Sequence, residues 1–558
     1  MSQPAGRSRL RNELGQNRHQ AKTVCRLAMV LAAALALLAP ATSIRADDHA
    51  TIEELKARLD AVERQNQTFQ ESLNERKAAK SDSPSKKVVP AGGEEPAAEQ
   101  DDEHIRSVVR DYLISEKKEK GDGADDPEWY EVGSDLSMHA SWKNGLEIET
   151  KNKDFRIKVR GRTQLDFASF SVPDNVNADP SLVVPIRSGV DFRRARIGVE
   201  GVMFEQIDYI YEYDFVNSVL AMPSAAGPAN VVGVPAPTDL YWTFMKLPVV
   251  GNFRVGNQKE PIGMEHLTSS RYLPFMERSF NQDAFYGGFN NGFTPGLMFF
   301  NSVVDDRMTW ALGVFKPTTN VFAFDQSDGD YAVTGRVTAL PWYVDDGNGL
   351  WHVGASARQA GMDNGVWRFR TRGPERSGLS QNWSLYADSG KIVGVNQQWY
   401  NFETALQLGP FMASAEYLFA FVHDAARGNA ATVGTTMYQG GYVEALYFLT
   451  GESRGYTRKN GWYERVVPYE NSFLVSDETG KTIFGRGAWQ VGARFNYLDL
   501  NDKGINGGRL KDVTFGLNWF LNPNMKVQWN YSITDRQSIN VANTGLIQGF
   551  GMRLAHDF

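Results

Sequence analysis

The amino-acid sequence predicts an all-β fold, a transmembrane antiparallel β-barrel of about 16 strands preceded by a short N-terminal coiled-coil helix and a disordered linker. Three observations predict the barrel. Apolar and polar residues alternate with a period of two from about residue 155 to residue 558, the apolar positions are rich in Tyr, Trp and Phe, and the alternate positions carry charges in strand after strand. The dry core of a soluble sandwich does not tolerate such charges, whereas a water-filled lumen does.

The composition supports many short strands and excludes several other classes of protein. The chain has 52 Gly, 12% aromatic residues and a mean hydropathy of -0.40, and no apolar stretch reaches the roughly 20 residues of a membrane-spanning helix. A net charge of -7 offers no basic footprint for nucleic acid. The eight histidines are scattered and the one cysteine is Cys25, so we expect no metal site and no cofactor.

The N-terminal 140 residues divide into three predicted parts. Residues 1–46 are predicted to be a signal peptide, because the apolar run Leu27–Ala39 follows basic residues and precedes small ones. Residues 47–77 are predicted to be a coiled-coil helix; a single amphipathic helix is the alternative. Its apolar seam, with one polar position at Asn66, is formed by Ile52, Leu55, Leu59, Val62, Asn66, Phe69 and Leu73. Residues 78–140 have the composition of a linker, and residues 141–558 are predicted to form the barrel.

Sixteen strands can be placed from the alternation, and the last is expected to close against the first. The connections between them alternate between long and short, and we expect the short ones to face the periplasm. The connection 450–487 is the exception, and it either folds into the lumen or contains an additional strand. The predicted strands are 155–168, 191–203, 206–216, 238–246, 252–259, 293–302, 307–316, 330–339, 350–359, 398–408, 411–421, 438–449, 488–498, 511–520, 525–534 and 547–558.

Two short motifs resemble catalytic or metal-binding loops but lack the required context. Gly451-Glu452-Ser453-Arg454-Gly455 matches the nucleophile-elbow pattern, yet no helix pattern follows it. The segment 345–349 resembles a calcium loop without the ligand spacing or the closing glutamate, and a turn is the better interpretation. We therefore expect no enzyme.

Basic residues cluster on the lumen-facing side of several predicted strands and on one face of a strand-like piece within a long loop, and we take them as candidate pore-lining residues. They are Arg156, Lys158, Arg160, Arg162, Arg194, Arg196, Arg368, Arg370 and Arg494. A column of guanidinium groups can bind oxyanions through bidentate hydrogen bonds. The alternative is wall reinforcement, which we favour for the second strand, with Arg196 opposite Glu212 and Arg194 opposite Asp214. For the first strand, whose acidic partners are less obvious, we favour a role in the pore.

Seven segments resemble, in order, those of the phosphate-selective porin O and P family: 155–166, 193–201, 254–261, 267–278, 448–454, 487–502 and 516–524. The resemblance implies a sixteen-stranded trimeric barrel in which a loop after the fifth strand, here 260–292, folds inward as a constriction. Its candidate residues, with the one that precedes it, are Lys259, Arg271, Glu277 and Arg278. This loop carries four acidic residues and two arginines, which argues against strong phosphate selectivity.

The predicted function is passive diffusion of small anions, phosphate or polyphosphate among them, through a water-filled pore narrowed by the inward-folded loop. The predicted location is the bacterial outer membrane, with lipid and two further copies of the chain as partners. The alternatives are a structural barrel that tethers the outer membrane through the coiled coil, and a general non-selective porin.

Overall fold

The computed structural model describes residues 132–558, except 217–218, 223–229, 287–291, 319–321, 323–329, 363–365, 378–382 and 477–479. The predicted signal peptide and coiled coil, and the linker up to residue 131, lie outside the described residues. Among the described residues, none of the helices has the length and hydrophobicity that crossing a bilayer requires.

Sixteen long antiparallel strands of the described chain form one closed sheet, and each coincides with a predicted strand. They are β1 (Arg156–Ser171), β2 (Gly189–Met203), β3 (Ile207–Asp214), β4 (Ala236–Leu247), β5 (Gly251–Gln258), β6 (Thr294–Val303), β7 (Met308–Phe315), β8 (Ala332–Val344), β9 (Gly349–Gly361), β10 (Asn396–Leu408), β11 (Phe411–His423), β12 (Thr436–Phe448), β13 (Ala488–Asp502), β14 (Ile505–Asn522), β15 (Met525–Gln537) and β16 (Gly545–Asp557).

The barrel closes where β16 pairs with β1, from Gln548 opposite Ser171 to Asp557 opposite Arg162. Phe558 continues this seam, since its N–H donates to the carbonyl of Gly161 at 3.1 Å and its own carbonyl accepts from Gly161 N at 2.9 Å. A Cβ on Gly161 would lie 2.6 Å from the Phe558 ring, so only glycine fits beneath it. The expected closure of the last strand on the first is confirmed.

The two faces of the sheet differ in polarity as the alternation predicted. Outward side chains such as Phe299, Val443 and Phe515 are exposed and apolar, whereas inward side chains such as Thr514 and Gln528 are buried and polar. An exposed apolar surface around a closed sheet is the surface that lipid covers. The predicted fold class, a transmembrane β-barrel, is confirmed.

A short hairpin extends the sheet ahead of β1. Its strands, Met138–Trp142 and Leu146–Thr150, pair with each other, and the second pairs with the start of β1 through Glu149 opposite Arg156. Lys143 donates to Glu147 at 2.6 Å and to Glu149 at 3.0 Å. The described chain therefore joins the sheet at residue 138, three residues before the boundary expected from composition.

The register between β2 and β3 differs from the one predicted. Met203 lies opposite Ile207, which places Arg196 opposite Asp214 and Gly198 opposite Glu212. The prediction that Arg196 faces Glu212 and Arg194 faces Asp214 is wrong by two residues. The connecting turn has three residues, with Phe204 and Glu205 at positive φ, and alternation alone does not reveal a turn's length.

A β-bulge in β2 turns two consecutive arginines inward. Gln164 of β1 pairs with Arg194, but Leu165 pairs with Phe192, so Arg193 is the extra residue. Both Arg193 and Arg194 are buried on the inner side, while Phe192 is exposed on the outer side.

The long connection 449–487 adds no strand to the barrel. Its short strands, Tyr456–Thr457, Trp462–Tyr463, Phe473–Ser476 and Thr482–Gly485, pair only among themselves. Arg336 of β8, an inward residue, donates to the carbonyl of Gly461 at 2.7 Å. The part around residue 461 therefore lies against the inner face of the wall, which is the first of the two alternatives considered for this connection.

Candidate functional site: a basic cavity inside the barrel

The connection from β5 to β6, residues 259–293, is called here the β5–β6 segment. It contains one short α-helix, Met264–Leu267, and a π-helical turn, Gln282–Tyr286. Its hydrogen bonds reach inward side chains or carbonyls on β8, β9, β11, β12, β13, β14, β15, β16, β1 and β2, and among the described residues none reaches β4–β7. The bonds include those to Thr334, Arg358, Glu416, Gly440, Arg494, Asn518, Lys526, Arg553, Arg162 and Arg193.

Each of the four acidic residues of this segment faces at least one arginine. Glu260 accepts from Arg358 Nε at 2.8 Å, and Glu265 lies 3.3 Å from Arg494 Nη1. Asp283 lies 2.6 Å from Arg372 and 3.4 Å from Arg376, and Glu277 is shared by four arginines. The acidic composition of the segment therefore gives no acidic surface, because arginines from elsewhere in the fold neutralise it.

A cavity of about 260 Å³ lies between the β5–β6 segment and the wall formed by β1–β8. Twelve Lys or Arg residues and four Asp or Glu residues line it within the described chain. The basic residues are Arg160, Arg162, Arg193, Arg194, Arg196, Arg254, Lys259, Arg278, Arg336, Arg372, Arg376 and Lys459, and the acidic ones are Asp214, Asp239, Glu277 and Asp283. This excess of positive charge makes the cavity suited to anions.

Glu212 of β3 lies at the centre of a four-arginine cluster in the cavity wall. Its fully buried carboxylate lies 2.8 Å from Arg162, 3.3 Å from Arg160, 3.3 Å from Arg196 and 3.5 Å from Arg271. Arg160 also reaches Glu200 at 2.5 Å, and Arg196 reaches Asp214 at 2.7 Å. The first-strand arginines thus have acidic partners that the sequence had not suggested, Glu200 on the neighbouring strand β2 and Glu212 two strands away on β3.

Glu277, in the β5–β6 segment, is the centre of a second four-arginine cluster. Its carboxylate lies 2.8 Å from Arg193, 3.9 Å from Arg194, 3.7 Å from Arg376 and 2.9 Å from Arg553. Burial opposes ionisation, but these guanidiniums outweigh it and hold the pKa of Glu277 well below its usual range. The group is therefore a permanent anion that joins the segment to the wall.

Four basic residues of the cavity have no carboxylate within 4.0 Å among the described residues, namely Arg254, Lys259, Arg278 and Lys459. Arg254 of β5 donates from Nε to Thr243 at 2.9 Å, and its guanidinium lies 4.0 Å from the Tyr241 ring centre and 4.8 Å from that of Phe300. Arg278 donates only to backbone carbonyls, those of Glu265 and Thr268. Their remaining charge is available to a solute in the cavity.

A second cavity, of about 340 Å³, lies beside the first on the side of the long connections. Arg372, Arg376 and Trp383 line both cavities. The guanidiniums of Arg372, Arg376 and Arg193 lie 5.3, 5.0 and 4.7 Å from the Trp383 ring centre. Basic side chains thus continue from one cavity into the next.

The candidate residues selected from the sequence fall into two groups. The first group lines the cavity and consists of Arg160, Arg162, Arg194, Arg196, Lys259, Glu277 and Arg278. The second group does not line it and consists of Arg156, Lys158, Arg271, Arg368, Arg370 and Arg494. In this second group Arg156 lies near Glu147 of the hairpin, Arg368 is paired with Asp388, and Arg494 donates to the carbonyl of Glu277. These three arginines are held by the fold and lie away from the open volume.

Several cavity residues were missed as sequence candidates. Arg254 and Arg336 occupy inward positions of β5 and β8 that alternate with outward ones. Arg254, for example, lies between the outward residues Phe253 and Val255, so alternation could have identified both arginines. Arg193 faces inward only because of the bulge, and Arg376 belongs to a connection without periodicity. The described residues contain no group of three His, Cys, Asp or Glu side chains placed to hold a metal ion.

A closed antiparallel barrel with an apolar exterior and a charged interior cavity defines an outer-membrane porin. The chain belongs to the family "Phosphate-selective porin O and P", whose profile matches residues 157–558, and its location is the bacterial outer membrane.

Two relatives align over most of the chain. Porin O of Pseudomonas aeruginosa is 25% identical over 423 residues, which cover 72% of this chain and 87% of that protein. An uncharacterised protein of Caulobacter vibrioides is 26% identical over 440 residues, covering 75% of this chain and 77% of that protein. A solved structure of Salmonella typhi OmpF in complex with daunomycin, 11% identical, matches with a TM-score of 0.43 over 75% of this chain and all of that chain.

Proposed function

We propose that this porin conducts small anions by passive diffusion, and that the β5–β6 segment narrows its water-filled pore. The observation that supports this proposal is the cavity between the segment and β1–β8, where twelve basic residues outnumber four acidic ones. Phosphate and polyphosphate are among the solutes this cavity suits, since guanidiniums bind their oxygens in bidentate fashion. The proposed assembly is the homotrimer that the family resemblance implies.

The arrangement of charges favours passage over trapping. Each arginine cluster already holds a carboxylate, Glu212 in one and Glu277 in the other, so a solute anion meets only the residual positive charge. A series of weak sites lets an ion enter from the second cavity and leave toward the short-turn end of the barrel. Because charges at this depth still contact water, the attraction weakens as salt rises.

Reversal potentials of the purified protein in a planar bilayer, under a KCl gradient, test the proposal. We expect anion preference, and a reduced preference in the double variant Arg160→Gln/Arg162→Gln. The matched control is Arg509→Gln, which removes the same kind of charge from a partly exposed arginine paired with Asp499 outside the cavity. Cation preference, unaltered by neutralising Arg160 and Arg162, would exclude the anion pore.

Phosphate is tested in the same bilayers by adding it to chloride-conducting channels. A solute that binds in the cavity reduces the chloride current in proportion to its occupancy. We expect phosphate to reduce the current, and to reduce it less in Arg194→Gln, because Arg194, which donates a hydrogen bond to Gln164, lines the cavity. An unchanged current at all phosphate concentrations would mean that the pore conducts chloride but does not bind phosphate.

A further inference from the structure

The cavity has two unlike walls, and the difference goes beyond what an inorganic anion requires. The wall of β1 and β2 carries Arg160, Arg162, Arg193, Arg194 and Arg196. The facing strands carry inward apolar side chains, called here the apolar wall and consisting of Ile210, Tyr241, Met298, Phe300 and Ala311. An oxyanion surrounded by arginines gains nothing from carbon surface on the other side of its path.

The apolar wall differs from other apolar groups of the barrel interior in its exposure. On β13 and β14 the inward residues Leu498 and Leu510 are fully buried in a hydrophobic cluster, and inward neighbours such as Asn518 are polar. On β3, β6 and β7 the inward residues Ile210, Phe300 and Ala311 are apolar and only partly buried. Apolar groups left partly exposed inside a polar lumen are a surface on which a solute can bury its own apolar atoms.

One cation lies within this apolar wall. Arg254 is directly opposite Met298 in the β5–β6 pairing, and its guanidinium lies between the rings of Tyr241 and Phe300. With no carboxylate within 4.0 Å among the described residues, it can pair with a carboxylate from a solute. The wall therefore combines a charged anchor with carbon surface beside it.

We propose that the cavity contains a binding site for organic monocarboxylates with an apolar body, in which Arg254 holds the carboxylate and Phe300, Ile210 and Ala311 contact the body. This inference rests on the proposed anion pore and names a solute class for it. A carboxylate with a ring satisfies both walls at once, whereas acetate and phosphate satisfy only the charge. Binding of benzoate is accordingly stronger than binding of acetate, although both carry one negative charge at neutral pH.

Competition in planar bilayers tests the site, with benzoate, acetate and inorganic phosphate added separately to the full-length porin in KCl. The measured quantity is the concentration of each anion that halves the chloride current. We expect benzoate to bind about tenfold more tightly than acetate, since the free energy gained by burying part of a ring corresponds to an affinity ratio of about that size. Phe300→Ala reduces this ratio to about one, whereas Arg254→Gln weakens benzoate and acetate together.

Phe299→Ala is the matched control, because Phe299 is the neighbouring ring on the exposed outer face and its removal leaves the ratio intact. If Phe300→Ala fails to fold, Ile210→Thr tests the same wall with a β-branched residue that suits a strand. Equal binding of benzoate and acetate in a porin that prefers anions overturns the organic-anion site alone. A benzoate preference that persists in both Phe300→Ala and Ile210→Thr also overturns the organic-anion site. Cation preference in the KCl gradient overturns both this site and the proposed anion pore.

Discussion

The carboxylate of Glu212 accepts two hydrogen bonds from Nη2 of Arg162, at 2.9 and 2.8 Å, in the inner wall of the barrel. Through Nη1 the same guanidinium donates to Ser270 in the β5–β6 segment at 2.7 Å. Arg162 therefore connects the Glu212 carboxylate of the wall to the segment that we propose narrows the pore. Three further arginines surround that carboxylate, so Glu212 offsets part of the positive charge of this cluster.

Glu212→Gln is expected to strengthen anion binding. The substitution leaves Arg160, Arg162, Arg196 and Arg271 without their shared carboxylate, and an entering phosphate replaces it. Charges at about 4 Å near a protein surface interact by about 4 kcal/mol, so a tenfold tighter block of the chloride current by phosphate is a conservative expectation. Bilayer titrations with phosphate measure it.

Glu444→Gln is the control for that substitution. Glu444 is another buried glutamate, which accepts from Ser414 at 2.8 Å, and none of the arginines that line the cavity lies within 4.0 Å of its carboxylate. Its removal leaves phosphate block unchanged. Equal phosphate block in wild type and Glu212→Gln would show that the cluster is not on the solute path.

Arg553→Met is expected to destabilise the barrel at its seam. The fully buried Arg553 of β16 donates to both oxygens of Asp166 on β1 at 2.6 Å, and to Glu277 at 2.9 Å. Removing one partner of such a buried ion pair costs about 3–5 kcal/mol because the other charge stays buried and unpaired. The temperature at which the folded band disappears on denaturing gels measures the loss.

Arg509→Met provides the comparison, since its ion pair with Asp499 is partly exposed and such pairs contribute about 0–1 kcal/mol. Adding Asp166→Asn to Arg553→Met is expected to recover part of the loss. Identical unfolding temperatures for wild type and Arg553→Met would contradict the assigned role of the seam arginine.

Glu375 is expected to make the packing of the described residues around it, in the connection between β9 and β10, dependent on pH. Burial raises the pKa of Glu375 to about 8, and Ser532 of β15 donates to its Oε2 at 2.5 Å. In the undocked connection the pKa returns to the ordinary value of a glutamate, 4.5, so only the docked carboxyl holds a proton between about pH 4.5 and pH 8. Docking is therefore strongest at low pH and weakens as pH rises through this window.

Tryptic cleavage after Arg372 and Arg376 in detergent measures that docking. Glu375→Gln stays neutral, so the ratio of the wild-type cleavage rate to that of the variant is expected to rise from pH 6 to pH 9. Using the ratio removes the protease's own pH dependence. A constant ratio would mean that Glu375 does not control the packing of this connection.

Deletion of residues 47–128 is expected to leave the conductance of each channel unchanged. The described sheet begins at Met138 and closes between β1 and β16, and all residues that line the cavity come later in the chain. Bilayer recordings of the deleted and full-length chains compare them directly. A tether would instead lose attachment of the envelope, and a loss of conductance would show that the N-terminal part belongs to the pore.

The strand count and the polarity of both faces were predictable from the sequence. A strand 10 to 15 residues long repeats its alternation often enough to be recognised without any neighbour, as in β15, where Val527, Trp529 and Tyr531 alternate with Gln528 and Asn530. Closure followed from the cost of an open sheet edge in lipid.

The partners of the charged residues were not predictable, because they depend on register and on contacts across the lumen. The three-residue turn at Phe204 places Asp214 rather than Glu212 directly opposite Arg196, and the bulge at Arg193 adds an inward arginine. Glu277 meets Arg553 from 276 residues away in the chain. No local pattern encodes such a distance, so the basic character of the cavity emerged only from the fold.

The β5–β6 segment is anchored to some strands of the barrel and not to others. The inward residues of these two sets of strands therefore differ in how freely they can be substituted. Strands β8–β9 and β11–β16 hold the segment through specific hydrogen bonds, so their inward residues are constrained together. Strands β4–β7 make no such bonds among the described residues, and inward side chains such as Tyr241, Arg254 and Phe300 line the cavity instead. A library limited to the inward positions of β4–β7 would therefore alter the lining of the cavity while leaving unchanged the strands that hold the segment.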